Sequence, residues 1–298
     1  MSGEKWYKKR WLWRFCVVVM AMVPLCIWLC QQYRIYFMPE QELTPYHVPP
    51  RPEDDTLRVA IIGDSWAEIH TNLSCDTIFN LFASRISPQQ PVICLSRGKG
   101  GAMSKDIYHF MYSDLTEEHT WEPDRCTQPL IEQHPDYCVV FGGINDVIFQ
   151  RSTSYYVGNL QNIFRLLLHN NIRPVVMEIP MVDAASAIDY KSFFKREAYH
   201  LKAFVMGTRG NQVPQYRNAM KEMLQVSGLR DSVLYISADR WNPLGWRDTT
   251  IFQRDRIHLN LEGYHRLDSC IVSEILKDWE RRKGDKSRII SDNSIFYP

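Results

Sequence analysis

Four small polar clusters follow short apolar runs in this 298-residue sequence, and each holds residue types suited to acyl-transfer chemistry. The first is Gly63-Asp64-Ser65. Glycine permits a tight strand-to-helix turn, and a serine opening a helix points its own N–H where an oxyanion would form. The last is Asp255-Arg256-Ile257-His258. A carboxylate three residues before an imidazole can orient the ring and stabilise its cation, leaving the second nitrogen to take the Ser65 hydroxyl proton. Between them lies Ser96-Arg97-Gly98-Lys99-Gly100-Gly101, a glycine-rich turn that can bring backbone donors close to a ligand. In the remaining cluster, Gly142-Gly143-Ile144-Asn145-Asp146, the Asn145 amide can donate to a developing negative charge. The glycine-rich turn is not a phosphate loop, because no Gly-Lys-Ser/Thr follows four variable residues, and it lacks the dinucleotide G-x-G-x-x-G pattern. Taken singly, each string also has an ordinary reading: helix caps at Asp64, Asn145 and Asp146, a flexible turn at 96–101, and a surface pair at Asp255 and His258.

Chemistry of this kind needs a rigid frame. The runs Leu57–Ile62, Pro91–Leu95, Tyr137–Phe141, Pro174–Ile179 and Val233–Ile236 are short and apolar, as buried strands are. Helical stretches separate them: Ser65 to about Arg85, residues 153–170, and a closing helix over Leu261–Glu280. Alternating short strands and helices predict a parallel sheet of about five strands covered on both faces. Ligands of such sheets sit at the carboxyl ends of the strands, where all four clusters fall. Residues 180–230 break the alternation. Asp183–Lys221 holds seven basic and three acidic residues, which fits a helical insertion and candidate lid, or a pair of packing helices with solvated basic faces.

The N-terminal end is of another kind. Phe15–Cys30 carries no charge, and Trp11, Leu12 and Trp13 extend it towards the ~20 residues that cross a bilayer. Residues 1–35 hold six basic residues and one acid, with Trp6, Trp11, Trp13, Trp28 and Tyr33 near the ends of the run. Basic residues before a span predict a cytoplasmic N-terminus, with the rest of the chain exported to the periplasm or cell exterior. No small-x-small cleavage site follows the run, and leucine precedes both Cys26 and Cys30, against a cleaved or lipoprotein signal. The domain plan is thus a basic tail and signal anchor at 1–35, a Pro-rich linker at 36–56, a catalytic domain at 57–281 and a loose tail at 282–298. The formal charge is +1 overall, but residues 36–298 carry 29 basic and 33 acidic residues. A mildly acidic body is poorly suited to nucleic acid. The eight cysteines contain no CxxC pair, and seven of the other eight histidines (His70, His109, His119, His134, His169, His200 and His265) have no paired metal-ligand spacing. Cys94 and Cys138 fall in strand-like runs and read as core.

Taken together and in this order, the clusters resemble the SGNH hydrolase superfamily, the GDSL esterases and lipases, across residues 57–275. The resemblance implies a flavodoxin-like three-layer α/β/α sandwich that hydrolyses esters and thioesters with neither metal nor cofactor. It makes Ser65 in IIGDSW the nucleophile. Gly101 in SRGKGGAMS and Asn145 in GGINDV then join the Ser65 N–H in the oxyanion hole, and Asp255 and His258 in DRIHLN complete the triad. There are departures. Trp66 replaces the usual leucine after Gly-Asp-Ser and can narrow the pocket or offer a stacking face. Ser96 replaces a frequent asparagine, and Gly100 adjoins Gly101, so the glycine donor is placed within one position.

The expectation is a membrane-anchored serine esterase acting on a small-molecule or glycan ester, best an O-acetyl or short acyl group on a carbohydrate. The same residues also suit an acyltransferase or a lipid esterase. A non-enzymatic envelope protein that binds or assembles glycans would keep the cleft and survive loss of the serine.

Overall fold

The computed structural model describes residues 3–73, 75–112, 125–182, 188, 192–205 and 211–294. It divides into two units, Met1–Met38 and Pro39–Pro298. In the first unit one helix, α1, spans Gly3–Phe37 and passes through Pro24. Its segment Arg10–Leu29 is 20 residues of mean hydropathy 2.1, none of it buried, long and apolar enough to cross a membrane.

The second unit is built on five parallel strands: β1 (Leu57–Gly63), β2 (Val92–Gly98), β3 (Tyr137–Phe141), β4 (Arg173–Met177) and β5 (Leu234–Ile236). Their order is β2-β1-β3-β4-β5. This is the flavodoxin-like order, in which the winding reverses beside β1 and opens a crevice at the strand ends. β1 pairs with β2 on one side and β3 on the other, and the register aligns Gly63 with both Gly98 and Phe141. The first three clusters therefore leave the sheet at one level. β3 is buried along its whole length, as a strand covered on both faces must be.

The helices that matter follow these strands. α2 (Ser65–Asn72) and α3 (Asp76–Arg85) replace the single helix expected over 65–85. Cys75, at φ 58°, breaks the run. α4 (Ser104–Phe110) follows β2, and α5 (Gln128–Ile131) precedes β3. α6 (Ile144–Ile148) and α7 (Thr153–His169) follow β3. α8 (Phe193–Val205) and α9 (Val213–Val226) lie between β4 and β5. α10 (Leu261–Ser294) closes the chain. α4 and α9 pack on α7, while α3 packs on α10.

Three expectations change. The stretch 180–230 is not a lid as a whole. α9 buries Tyr216, Met220, Met223 and Leu224 and serves as the crossover helix between β4 and β5. Positions 183–187, 189–191 and 206–210 lie outside the described residues. The tail expected to be loose after Arg281 continues α10 to Ser294. The Pro-rich linker is extended but is no free spacer, because the compact unit begins at Pro39. Along residues 39–56 the Glu40 N–H donates to Asn159 Oδ1 and the Val48 N–H to Asn170 Oδ1, both at 2.9 Å. The Leu43 N–H donates to the Tyr108 hydroxyl at 2.9 Å, and the Arg51 guanidinium holds Asp136 at 2.7 Å. Leu43, Tyr46 and Val48 pack on the core. This strap has no regular secondary structure, so side chains satisfy its backbone donors.

Gly63 shows how tightly the frame is drawn. Its φ is +148°, and a Cβ there would lie 2.0 Å from the Phe141 carbonyl oxygen. Gly63→Ala is expected to destabilise the domain by roughly 3–5 kcal/mol, read as a shift in the urea midpoint, because backbone cannot yield as a flexible side chain can.

Candidate active site

Ser65 is the first residue of α2. Asp64 caps that helix, its Oδ1 accepting the Trp66 N–H at 3.0 Å. The cap fixes the turn that lifts Ser65 to the strand ends. The Ser65 hydroxyl meets His258 Nε2 at 3.0 Å, and His258 Nδ1 lies 2.6 Å from Asp255 Oδ2. Asp255 Oδ1 accepts the backbone N–H groups of Ile257 and His258, each at 3.0 Å. The loop bearing these two residues is pinned from both sides. Phe252 bridges Leu259, and the Gln253 N–H donates to the His258 carbonyl at 2.7 Å. Arg256 takes a left-handed φ of 56° at the tip, with its guanidinium over the Trp246 ring at 5.1 Å.

Burial alone would raise the Asp255 carboxyl. The hydrogen bond to His258 and those from the two backbone N–H groups outweigh it, and the carboxyl is held below its ordinary value. An ionised Asp255 fixes a proton on His258 Nδ1 and leaves Nε2 as the acceptor for the serine proton.

Gly101 and Asn145 line the same open cleft of about 930 Å³ as Ser65, Asp255 and His258. Gly101 has φ +80°, and a Cβ would meet nothing within 4 Å, so glycine serves the backbone conformation here and not close packing. Asn145 Nδ2 donates to the Ala102 carbonyl at 2.9 Å, which ties the two donor loops together. An amide nitrogen has two protons, so one remains for a ligand.

A buried network stands behind these loops. Asp146 is fully buried, Ser104 donating to its Oδ1 through the hydroxyl at 2.6 Å and to its Oδ2 through the backbone N–H at 3.0 Å. Asn159 Nδ2 reaches the Ser104 hydroxyl at 3.4 Å, and Asn159 Oδ1 accepts from the strap at Glu40. Asp146 is therefore a brace between α4 and α6. Glu40 adds an ion pair to Lys105 at 2.6 Å and a hydrogen bond to His109 at 2.7 Å, both on α4.

Two residues expected near the substrate are elsewhere. Trp66 is 2% exposed and packs against Phe141, Trp241 and Tyr264, with ring centroids 5.9–6.3 Å apart. It neither narrows the cleft nor offers it a face. One step along a helix turns a side chain by about 100°, so the residue after an outward serine points into the core. Gly100 does not line the cleft either, although its neighbour Gly101 does. Conversely, cleft walls from Ile144, Ile148, Phe149, Phe252 and Arg254 escaped the sequence reading. Ile144 and Ile148 are four apart beside Asn145, a helical spacing that could have revealed them.

His70 is a buried partner of Asp268, with Nε2 at 2.9 Å from Oδ1, while its Nδ1 meets the Trp66 carbonyl at 2.7 Å. The pair ties α2 to α10. The five described cysteines of this unit, Cys75, Cys94, Cys126, Cys138 and Cys270, are all free, and Cys138 is fully buried. Among the described residues no cluster of three or more His, Cys, Asp or Glu side chains could hold a metal ion.

Buried acids set a pH dependence of stability. Burial pushes the Asp64 carboxyl up to about 7 and the Asp146 carboxyl up to about 6. Asp64 Oδ2 has no partner among the described residues, which suits a protonated carboxyl. Unfolded carboxyls release protons near pH ~4. Between about pH 4 and 7 the folded chain holds protons that the unfolded chain has lost, so stability falls as pH rises. His70 acts in the same direction. Burial opposes its charge, but Asp268 outweighs burial and raises it, so its contribution is lost as pH rises through the folded value. Asp255 and Glu178, both lowered, contribute above about pH 4 and lose that contribution as pH falls. Unfolding free energy is expected to drop by roughly 2–4 kcal/mol from pH 5 to pH 8, followed by urea titration. The drop should shrink in Asp64→Asn.

The chain matches the model of the GDSL-like lipase/acylhydrolase family over residues 61–266, a span that holds all four clusters. No curated protein matches it in sequence. Among solved structures it is similar to a GDSL-like lipase from Bacteroides thetaiotaomicron, at 17% identity over 74% of this chain and 88% of that one, with a TM-score of 0.48. An acetylxylan esterase from Geobacillus stearothermophilus is 15% identical over 74% of this chain and 94% of its own, with a TM-score of 0.47. The psychrotrophic esterase EstA from a Pseudoalteromonas species is 14% identical over 76% and 100%, with a TM-score of 0.46. With the family's sequence blocks in order on a five-stranded parallel sheet, the chain belongs to the GDSL-like lipase/acylhydrolase family of ester-hydrolysing enzymes.

Proposed function

We propose that the chain is a membrane-anchored serine esterase that removes an O-acetyl or other short acyl group from a carbohydrate. The observation that carries the reading is the hydrogen-bonded series Ser65–His258–Asp255, with 3.0 and 2.6 Å links, opening on a cleft shared with Gly101 and Asn145. His258 Nε2 takes the hydroxyl proton as Ser65 Oγ attacks the ester carbonyl. The N–H groups of Ser65 and Gly101 and the free proton of the Asn145 amide receive the charge on the tetrahedral oxygen. His258 returns the proton to the departing alcohol. Water, deprotonated by the same imidazole, then splits the acyl-serine and leaves the free acid.

The open cleft supports a bulky polar alcohol. The apolar segment Arg10–Leu29, preceded by Lys5, Lys8 and Lys9, supports an anchor with a cytoplasmic N-terminus and an exported domain. A lipid ester is the second reading, favoured by the apolar wall of Ile144, Ile148, Phe149, Phe252 and Ile257.

The test uses the full chain in detergent with chromogenic acetyl and octanoyl esters and a fluorophosphonate. The proposal expects acetyl turnover and labelling at Ser65. A rate rising with chain length would transfer the assignment to lipid esters, and absence of both turnover and labelling would end the serine-esterase reading.

A further inference from the structure

Within the proposed esterase site, we infer that Arg254 selects esters whose alcohol part carries an anionic group, a carboxylate or a phosphate, beside the acylated oxygen. The inference rests on the esterase reading and on the state of each polar group in the cleft wall. Gln253 Nε2 is committed to the Leu259 carbonyl at 2.8 Å. Asn260 donates to the Thr250 carbonyl at 2.8 Å and accepts the Gly263 N–H at 3.0 Å. Asn145 gives one proton to Ala102. Asp255, the other formal charge in the wall, is taken up by His258 and two backbone N–H groups. Arg254 lines the cleft, is exposed, and makes no hydrogen bond or ion pair with the described residues.

The acids flanking this loop in sequence do not neutralise it. Asp248 and Glu262 are held by Arg266 at 3.3 and 2.8 Å. A guanidinium offers a planar fork of five donors, which matches the two oxygens of a carboxylate or phosphate. It stands one residue before Asp255, on the pinned loop that carries the triad. A fork carried on that backbone starts from a fixed point beside the triad, so a charge close to the ester can be reached by it while the acyl group faces Ser65. A neutral sugar gives the same fork only hydroxyls, which bind a cation more weakly than an anion does.

The test compares two matched substrates, the O-acetylated methyl glycosides of glucose and of glucuronic acid, which differ by a hydroxymethyl against a carboxylate. Acetate release by the full-length enzyme is measured, and the selectivity is the ratio of kcat/KM, uronate over glucose. Wild type is expected to favour the uronate by roughly three- to tenfold at low salt, with the ratio shrinking towards one at high salt, as an exposed ion pair requires. Arg254→Gln should erase the preference, Arg254→Glu should invert it, and Arg254→Lys should keep part of it. A ratio unchanged in Arg254→Gln, or insensitive to salt, overturns the inference.

A second measurement does not need turnover. The non-acetylated methyl glucuronide should slow fluorophosphonate labelling of Ser65 more than methyl glucoside does, and Arg254→Gln should remove that difference. Equal protection by both sugars in wild type overturns the inference even if neither acetylated glycoside is hydrolysed. Substituting 4-acetoxyphenyl phosphate or 4-acetoxybenzoate for the uronate separates a phosphate from a carboxylate preference. Loss of all labelling would instead strike the esterase reading beneath it.

Discussion

Ser65→Ala is expected to lower ester turnover by about 10⁴-fold or more, with the folded state intact. The Ser65 hydroxyl makes one contact, to His258 Nε2, so its removal leaves no buried group unpaired elsewhere. The turn before it is held by Asp64 and Gly63, and alanine is at least as good a helix former as serine. The melting temperature should therefore move by no more than a few degrees while kcat collapses and fluorophosphonate labelling vanishes. His258→Ala should lose a comparable factor, and the double variant should lose little more, since the two act as a unit. Additive losses in the double variant would contradict a shared proton-transfer step. Steady-state kinetics on one acetyl ester, with melting curves for each variant, decides the matter.

Asn145→Ala is expected to cost about 10²–10³ in kcat with a small change in KM. In the proposed mechanism its amide meets the oxygen of the tetrahedral carbonyl, an interaction that belongs to the transition state. The same side chain also holds the Ala102 carbonyl at 2.9 Å, next to Gly101. Removing it loosens both donor loops, which puts the expected loss towards the upper end of the range. Asn145→Asp should fall at least as far, because a carboxylate placed beside a developing oxyanion repels it. Ser104→Ala offers the comparison, since it breaks the brace to Asp146 and leaves the Asn145 amide present. A loss in Asn145→Ala that appears mainly in KM would remove Asn145 from the oxyanion hole.

The frame and the places of its candidate site residues were legible because the apolar runs are short, end in glycine or a polar residue, and recur at strand-helix spacing. β1 through β5 fall where the runs fall, and Ser65, Gly101, Asn145 and Asp255 with His258 occupy the strand ends and the last loop. Trp66 was misplaced because motif position says nothing about helix phase. Trp66 and His70 are four apart and share the buried face of α2, a periodicity that outweighs proximity to the serine. Gly100 was misplaced because two adjacent glycines look alike in sequence, and only Gly101 reaches the cleft. The strap was misread because proline and acids are the composition of a spacer. Its docking depends on single side chains, Asn159, Asn170 and Asp136, that lie 85–122 residues further along and leave no periodic trace in the strap itself. The cleft wall followed the same rule: Arg254 stands next to a motif residue, but its lack of a partner is visible only when every neighbour is in place.

That strap also orders events in time. Residues 39–56 are made early, yet the groups that receive their backbone donors belong to α4, to α7 and to the residue that caps α7, while the Arg51 side chain reaches Asp136 in the segment before β3. During synthesis the Glu40 and Val48 donors must remain solvated until more than a hundred further residues have been added. Loop closures of that span are entropically costly and slow, as are the crossovers of a wholly parallel sheet. Docking of the strap is therefore expected late in folding, with the Glu40–Asn159–Ser104 connection formed only once α4 and α7 have met. A nascent chain halted before α7 would hold Ser65 and Gly101 on a partly formed sheet without that connection, so competence for catalysis should arrive with the completed clasp and not with the sheet alone.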